Sequence, residues 1–372
     1  IIYKPCVVVP RDPNDIIGPA GFGEEGWITA AETMPYTIRF ENAADAQAPA
    51  QQVVITQQLD NDLDWRTFRV NDFGWGELRF ELDATKAFHS QRYDLTEDYG
   101  FLVDVAASID TQTGIATWTI TTVDPETGEI PLDAQSGFLP VNNADGIGEG
   151  FVSYTVKAKR GSDTGTRVDA AARIIFDTEE PIDTPPIFNT LDAGAPVSRV
   201  ADLPVSTEDT EFLISWAGTD DEGGSAVANY TVYGSLDGGD YEVWLYQTEL
   251  TEALFTAEAG HTYAFYSVAR DYAGNEEAVP GTLSGIKFED RDGDGVKDDG
   301  ETGLSGWTIY LDTNDNSTFD DGEQFVQTGD DGSYSFDLAA GIYVVGEVMQ
   351  AGWIATTPAL GRREVVVVGD ET

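Results

Sequence analysis

The sequence predicts an all-β fold, built of three β-sandwich modules in series. Apolar and polar residues alternate at period two through much of the chain, which is the pattern of half-buried strands. Clusters of Gly, Asp, Asn and Pro separate these runs and supply turns between short strands. No segment shows the apolar stripe of an amphipathic helix. Many short strands with frequent turns are typical of sandwiches.

The predicted strands are rich in β-branched and aromatic residues, which fit a pleated surface that is buried on one face. The stretch 75–150 is long for one sandwich, so we expect extra hairpins within it. In chain order the predicted strands are YTIRF (36–40), QQVVITQQL (51–59), ATWTITTV (116–123), FVSYTVKAK (151–159), EFLISW (211–216), ANYTVYGSL (228–236), TYAFYSVAR (262–270), WTIYL (307–311), GIYVVGEV (341–348) and EVVVV (364–368).

Composition divides the chain at two places. Four prolines and few strand-forming residues lie between residues 176 and 198, which predicts a linker. Around residues 276–285 one strand pattern ends and the next begins with almost no spacer, which predicts two modules in a nearly fixed relation. The predicted segments are an N-terminal strand and spacer (1–11), a first sandwich with inserted hairpins (12–180), a linker (181–196), a middle module (197–281) and a C-terminal module (283–372).

The apolar segment 1–11 has two interpretations. It is either an ordinary strand of the first module or of a preceding domain, or a donor strand that completes the open sheet of a neighbouring copy. Strand donation would join copies of the chain head to tail into a fibre. The terminal run EVVVV also carries backbone groups that need pairing partners.

The charge of the chain limits its partners. Its 372 residues include 67 acidic and 20 basic side chains, for a formal net charge of -47. Such a charge repels phosphate backbones and anionic lipid, so nucleic acid and membranes are excluded as partners, whereas divalent cations are favoured. Cys6 is the only cysteine, so an internal disulfide and a cysteine-based zinc site are excluded. The absence of a charged apolar leader or a membrane-length apolar run favours a mature chain or an excised piece. Few Lys, Met and His and abundant Asp, Gly and Thr suit an extracellular bacterial protein.

The strongest chemical motif is an acidic loop at residues 290–301, here called the first loop. It matches the calcium-loop template D-x-[DN]-x-[DN]-G-x5-E in full. Calcium takes six to eight oxygen ligands, and alternate side chains of one tight loop deliver them, with a bidentate Glu at the end and a Gly at the bend. The predicted ligands are Asp290, Asp292, Asp294, the backbone carbonyl of Val296, Asp298 and Glu301, with Gly295 at the bend.

A second loop at residues 312–323 repeats the template with one departure. Ser317 stands where the template has Gly, which predicts strain in the loop. Two ligands are Asn instead of Asp, so the site carries less negative charge and should bind calcium more weakly than the first. The predicted ligands are Asp312, Asn314, Asn316, Thr318, Asp320 and Glu323.

Strand patterns flank both loops, where a helical calcium sensor would have amphipathic helices. The sequence therefore predicts structural clips that hold strands together. Solvated acidic turns without metal are the alternative. Asp330 and Asp331 either add a ligand to one of these sites or form a plain hairpin turn. The segment LDNDLD (59–64) suggests a third site but lacks the closing Gly and Glu.

Three segments of the C-terminal module carry a close resemblance to a known family: SGIKFEDRDGDGVKDDGETGLSGWTIYLD, TGDDGSYSFDLAAGIYVVGEV and AGWIATTP. Residues 283–372 resemble the calcium-binding B domain of the staphylococcal serine-aspartate repeat adhesins. This resemblance implies a transthyretin-like or Cna-B-like sandwich that calcium rigidifies, placed in a stalk between a binding head and the cell. It supports calcium ligation at the two loops.

The other modules carry resemblances that bear on fold. FLISWAGTDDEGGSAVANYTVYGSLDGG and GHTYAFYSVARDYAGN make the middle module similar to a fibronectin type III or related immunoglobulin-like domain, with Trp216 in an early core strand and Tyr263 and Phe265 opposite. The first module, through DPNDIIGPAGFG, PYTIRFENAADAQAPAQQVVITQQLDNDLDWRTF and AAARIIFDTEEPIDTP, resembles an uncharacterised immunoglobulin-like repeat of large bacterial and cyanobacterial surface proteins.

No catalytic constellation is recognisable in the sequence. His89 and His261 are isolated from other metal ligands, and no nucleophile elbow or phosphate loop is present. We therefore predict a non-enzymatic, extracellular structural or adhesive protein, part of a calcium-stiffened stalk or a filament whose partners are further copies of the chain or modules of a larger protein. The alternative is a carbohydrate-binding accessory protein, which would expose tryptophans to glycans; the candidates are Trp27, Trp65, Trp75, Trp118, Trp244 and Trp353.

Overall fold

A computed structural model of the chain describes residues 14–278, 280–313, 316–320, 322–339, 341–358 and 361–367. These residues form β-strands and contain no helix, which confirms the all-β prediction. Each segment predicted as a strand overlaps a strand of the structure. Within the described ranges no helix exists that could serve as a membrane span. The predicted donor strand and Cys6 lie outside the described residues.

The described residues divide into two compact units. Unit one contains the described residues up to Pro196, together with Thr219–Ala228 and Arg270–Asn275. Its strands are β1 (Asp15–Ile17), β2 (Trp27–Thr29), β3 (Thr33–Glu41), β4 (Gln52–Gln58), β5 (Leu63–Trp75), β6 (Leu78–Phe80), β7 (His89–Leu95), β8 (Phe101–Asp110), β9 (Ile115–Val123), β10 (Glu149–Ala158), β11 (Arg167–Ala170), β12 (Arg173–Phe176), β13 (Ile182–Asp183) and β14 (Ile187–Asp192).

Two large sheets of unit one enclose its core. One has the order β1-β3-β10-β5-β6 and the other β13-β12-β4-β9-β8-β7. Alternate residues of β3, β9 and β10 are buried, as the period-two pattern predicts. The rings of Phe68, Trp118 and Tyr154 meet across the sheets, with centroid separations of 5.2 to 5.9 Å. The expected extra hairpins are β7–β8 and β8–β9 in the second sheet.

Residues 181–196 differ from the linker that composition predicts, because they contain β13 and β14. Strand β14 pairs antiparallel with β11 and parallel with β2, forming a third sheet of unit one. The four prolines that indicated a linker lie outside both strands: Pro181 precedes β13, Pro185 and Pro186 separate it from β14, and Pro196 follows. Proline between strands marks their ends without removing a hydrogen bond from either ladder.

Unit two contains the remaining described residues, and its first part is a pair of three-stranded sheets. The sheets have the orders β15-β16-β19 and β18-β17-β20. Trp244 packs between them, with its ring 6.1 Å from Trp216 and 5.6 Å from Phe265. Trp216 is buried in a core strand, as predicted. The strands are β15 (Val197–Val200), β16 (Glu211–Thr219), β17 (Val227–Leu236), β18 (Tyr241–Thr248), β19 (Glu252–Thr256) and β20 (Tyr263–Asp271), of which residues 219, 227–228 and 270–271 belong to unit one.

The C-terminal part of unit two has its own small core. A β21-β24 pair and a four-stranded sheet, β23-β22-β25-β26, contribute the buried side chains Ile309, Leu311, Phe336, Leu338 and Val345. The first loop follows β21, and the second connects β22 to β23. The strands are β21 (Pro280–Ile286), β22 (Thr308–Leu311), β23 (Phe325–Gln327), β24 (Ser333–Ala339), β25 (Gly341–Glu347) and β26 (Arg362–Val367).

Candidate metal centres

The first loop brings three of its five predicted acidic ligands together. One carboxylate oxygen from each of Asp290, Asp292 and Asp294 lies within 4.8 Å of the others. The loop is closed at its base, where Phe288 and Gly303 form an antiparallel bridge. An all-oxygen donor set of this kind suits a hard divalent cation.

Backbone N–H groups hold the first and last carboxylates of this loop in place. Asp290 accepts hydrogen bonds from the N–H of Gly293 at 2.7 Å and of Gly295 at 3.0 Å. Glu301 folds back to accept from the N–H of Arg291 at 2.7 Å and of Asp298 at 3.1 Å. Each carboxylate oxygen has two lone pairs, so one N–H partner leaves it able to bind a metal as well.

The second loop repeats this arrangement at the equivalent positions. Asp312 accepts from the N–H of Ser317 at 2.8 Å, as Asp290 does from that of Gly295. Glu323 accepts from the N–H of Thr313 at 2.9 Å and of Asp320 at 3.0 Å. Asp312 and Glu323 are buried, with 5% and 8% of their surfaces exposed. Two loops of different sequence therefore place their first and twelfth residues by the same contacts.

The middle positions of the two loops also correspond. Asp294 accepts from the N–H of Val296, and Asn316 from that of Thr318, both at 2.8 Å. The Asn316 amide also donates to Asp320 at 2.6 Å, which links two predicted ligands. Asn314, the remaining predicted ligand, lies outside the described residues.

Ser317 adopts the left-handed backbone conformation that the template assigns to Gly. Its φ is +62°, against +81° for Gly295 at the same loop position. For an L-residue this conformation costs about 1–2 kcal/mol, which glycine avoids. The strain predicted from the missing Gly is therefore present. The Ser317 hydroxyl accepts a hydrogen bond from the Arg362 guanidinium at 2.5 Å.

Replacing Ser317 by Gly and by Ala should separate the backbone effect from the hydroxyl. Both variants lose the contact with Arg362, so their difference reports the backbone alone, as the steric strain of Ala at positive φ less the entropic cost of Gly. We expect Ser317→Gly to be more stable than Ser317→Ala by about 1 kcal/mol, since the relief of steric strain exceeds the entropic cost of Gly. Urea unfolding at fixed calcium measures this difference. Equal stability of the two variants would contradict the assigned φ.

Negative charges crowd the first loop more than the second. The carboxylate of Asp294, with smaller contributions from Asp292 and Glu301, raises the pKa of Asp298 above its usual value. In the second loop Arg362 lies 3.8 Å from Asp312 and offsets part of the charge there. The weaker calcium affinity of the second loop stays a prediction, and a nearby cation would act in the same direction.

Other acidic residues considered in the sequence do not converge in this way. Asp331 accepts from the N–H and hydroxyl of Ser333, as a turn residue does, and the Asp330 carboxylate accepts from Ser305. The suggested third site at LDNDLD differs from expectation because Asp64 is paired with Arg66 at 2.8 Å. The carboxylates of Asp64, Asp330 and Asp331 therefore each have a local partner.

Neither histidine forms part of a convergent catalytic group among the described residues. His89 meets the Tyr93 hydroxyl at 3.1 Å, and His261 meets the Asp237 carboxylate at 2.7 Å. The tryptophans proposed as glycan contacts are mostly enclosed: Trp75 and Trp118 are buried, Trp27, Trp65 and Trp244 are partly buried, and Trp353 is 39% exposed.

A third acidic group, absent from the sequence prediction, lies in unit one. Asp192, Asp220 and Asp271 each place one carboxylate oxygen within 4.8 Å of the others. These residues are far apart in the sequence, so no local spacing could reveal them. The only signal is their position at or just after strand ends, in LDAG, GTDDEGG and RDYAGN.

Comparison with known protein families identifies two parts of the chain. Residues 281–366 match the SdrD B-like domain, and residues 12–86 match a domain of unknown function (DUF7619). The first match confirms the resemblance inferred for the C-terminal module. The second agrees with the expectation of an uncharacterised module at the start of the chain. No curated protein matches the sequence with significance.

Similar solved structures include two pilins and a set of fibronectin(III)-like modules. Domains D2 and D3 of the major pilin SpaD from Corynebacterium diphtheriae align with 12% identity over 92% of this chain and 86% of that one, at a TM-score of 0.25. BcpA, the major pilin subunit of Bacillus cereus, aligns with 12% identity over 96% and 66%, at 0.30. The modules of Clostridium thermocellum CbhA align with 10% identity over 70% and 88%, at 0.26. TM-scores this low do not establish a shared overall fold.

Proposed function

We propose that this chain is an extracellular structural protein of a bacterial surface, a stalk or filament subunit whose C-terminal module is stiffened by two calcium ions. The observation that carries the proposal is the repeated geometry of the two loops. In both, the carboxylates of the first and twelfth residues are fixed by equivalent backbone N–H groups. The match of residues 281–366 to the SdrD B-like domain supports the structural class.

The chain's own residues would hold each ion as follows. In the first loop Asp290, Asp292, Asp294 and Glu301 supply carboxylate oxygens, and Val296 its backbone carbonyl. In the second loop Asp312 and Glu323 occupy the same template positions as Asp290 and Glu301. The ion supplies positive charge that offsets the repulsion among these carboxylates. Because the loops join strands of one small core, ordering them limits the freedom of the module.

The extracellular location agrees with the charge and with the expected affinity of such loops. Extracellular calcium modules commonly bind with weak affinity, which is sufficient where the ion is abundant. A net charge of -47 also favours sites that collect cations. Further copies of the chain or modules of a larger protein are the proposed partners. Strand donation by residues 1–11 concerns residues outside the described ones and stays a prediction.

The carbohydrate-binding alternative is less well supported. A glycan platform needs aromatic faces open to solvent. Trp118 and Trp75 lie in the core of unit one, and Trp244 packs against Trp216 and Phe265. Trp353 is exposed in part, but its ring packs edge to face with the ring of Trp307, and the two ring centroids lie 5.6 Å apart. These contacts favour roles in packing.

Calcium titration of loop variants tests the proposal directly. We expect Glu301→Gln to weaken binding at the first loop by tenfold or more, roughly the loss expected when a bidentate ligand is removed. Glu323→Gln should act likewise on the second loop. Asp299→Asn is the matched control, because it removes one charge from the first loop at a position that the template does not use. Isothermal calorimetry on calcium-depleted protein gives the affinity and stoichiometry.

Two results would contradict the proposal. One is an unchanged calorimetric titration for Glu301→Gln and Glu323→Gln relative to the parent chain. The other is an equal loss of affinity in Asp299→Asn, which would mean that calcium responds to overall charge and not to the template positions.

A further inference from the structure

The acidic group of unit one joins three segments that are distant in the sequence. Asp192 is the last residue of β14, Asp220 follows β16, and Asp271 is the last residue of β20. One oxygen from each lies within 4.8 Å of the other two. All three segments belong to unit one.

Burial separates this group from ordinary surface carboxylates. Asp192 has no exposed surface, and Asp271 is 2% exposed. The Oδ2 atoms of Asp192 and Asp220 accept from the N–H of Ser225 at 2.7 Å and of Ala226 at 2.8 Å. Their Oδ1 atoms are buried without any hydrogen-bond partner. A buried carboxylate oxygen left without a partner is costly, and native structures rarely retain one without a bound water or ion.

The negative charge of the group has no counter-ion in the chain. Among the described residues no Lys, Arg or His nitrogen forms an ion pair with Asp192, Asp220 or Asp271. Asp221, next to this group in sequence, adds a further buried Oδ1 atom without a partner. Burial, with repulsion from Asp192, raises the pKa of Asp220 and of Asp271. Uncompensated buried charge of this size destabilises a fold unless a cation neutralises it.

Hydrogen bonds within the chain hold these carboxylates in position without an ion. Asp271 accepts from the N–H of Gly274 at 2.6 Å and of Asn275 at 2.8 Å. The Asn275 amide donates to Asp271 and to the backbone carbonyl of Asp192. The Ser225 hydroxyl accepts from the N–H of Ala273 at 2.9 Å. These contacts tie the three segments together around the carboxylates.

Two glycines leave the room that the carboxylates occupy. A Cβ atom at Gly224 would lie 2.6 Å from Asp221 Oδ1 and 2.7 Å from Asp220 Oδ2. A Cβ atom at Gly194 would lie 2.3 Å from Asp221 Cγ. Any larger residue at these positions would displace the acidic side chains. The two glycines therefore allow the acidic side chains to lie close together. Their mutual repulsion is unfavourable when no cation is present.

We propose that Asp192, Asp220 and Asp271 form a third calcium site, separate from the two loops. The donors are all carboxylate oxygens, which is the chemistry of a hard divalent cation. The unpartnered, fully buried Oδ1 of Asp192 is the observation that carries this inference. An ion there would fix 219–228 and 270–275 to the end of β14.

Calcium stoichiometry in a loop-deficient background tests this site independently of the proposed function. In the Glu301→Gln, Glu323→Gln double variant we expect about one tight calcium ion per chain to remain, because the third site uses other residues. Adding Asp192→Asn should remove it. If the loops do not bind calcium but the third site does, the parent chain and the double variant should both bind about one ion. This result would contradict the proposed function and leave the third site supported. No tight calcium binding in the double variant would overturn the inference.

The sign of a stability change distinguishes a ligand from a packing residue. In chelator, Asp220→Asn should raise the unfolding temperature, because it removes one of several buried like charges. In excess calcium the same variant should lower it, because a ligand is lost. Glu222→Gln is the matched control, since it removes an exposed charge two positions away and should respond equally in both conditions.

Hydrogen exchange keeps the inference testable if a variant fails to fold. In the parent chain calcium should slow amide hydrogen exchange in 219–228 and 270–275, relative to exchange in chelator. For the melting experiment, a shift of the unfolding temperature of Asp220→Asn in the same direction in chelator and in calcium would mean that the group has a packing role. Equal exchange of both segments with and without calcium would also refute the site.

Discussion

Removing calcium is expected to lower the stability of the C-terminal module by about 5 kcal/mol, with each of two sites contributing about 2.7 kcal/mol at free calcium 100-fold above its dissociation constant. The module has a small core, of which Ile309, Leu311 and Phe336 are members, so little else offsets this loss. Without the ion, the crowded carboxylates of the first loop repel one another. We therefore expect this module to unfold first in the presence of a chelator.

Hydrogen exchange of β22 and β25, read alongside thermal melting, measures this effect locally. The Glu301→Gln, Glu323→Gln double variant supplies the control, because a tenfold loss of affinity at each loop should roughly halve the response of its C-terminal module to the chelator. Superimposed melting curves with and without chelator would refute the calcium hypothesis. A chelator response confined to unit one would refute it for the loops alone.

Replacing Trp118 by Ala is expected to destabilise unit one by about 3–5 kcal/mol, the usual cost of removing a large ring from a core. Trp118 is 2% exposed, and its ring lies 5.9 Å from Phe68 and 5.5 Å from Tyr154. Trp118→Phe should cost less, because it leaves a smaller cavity and removes an indole N–H that has no partner.

Urea denaturation followed by circular dichroism measures this change. Trp353→Ala is the matched control: that ring is 39% exposed, and its loss should cost about 1 kcal/mol or less. Equal effects of Trp118→Ala and Trp353→Ala would mean that Trp118 does not lie in the core, and would reopen the interpretation of the tryptophans as surface contacts.

Local patterns explain why the strands and the two loops could be predicted. Period-two alternation depends only on neighbours along the chain, and β3, β9 and β10 show it clearly. The loops likewise carry every predicted ligand within twelve consecutive positions, a spacing that the calcium template specifies. The strain at Ser317 followed from the same template, because position six requires a left-handed backbone.

Tertiary features could not be predicted in this way. Strand β14 was not predicted, because the high density of prolines around it indicated a linker. Each of these prolines lies outside the strand, so none removes a hydrogen bond from it. The group of Asp192, Asp220 and Asp271 depends on three chain segments meeting, which no spacing along the sequence records. With so many acidic residues in the chain, this group is distinguished by the burial of Asp192 and Asp271 and by the unpartnered Oδ1 atoms of Asp192 and Asp220.

The parallel pairing of β2 and β14 determines how unit one would resist a mechanical load. The register joins Thr190 to Trp27, Leu191 to Ile28 and Asp192 to Thr29. Consider a force applied between residue 27, at the start of β2, and residue 192, at the end of β14. Because the strands are parallel, this force acts along both of them in opposite directions and would slide one past the other. The bonds between them would then be strained together in shear, so rupture requires several to break at once, unlike an antiparallel pair peeled open from its end.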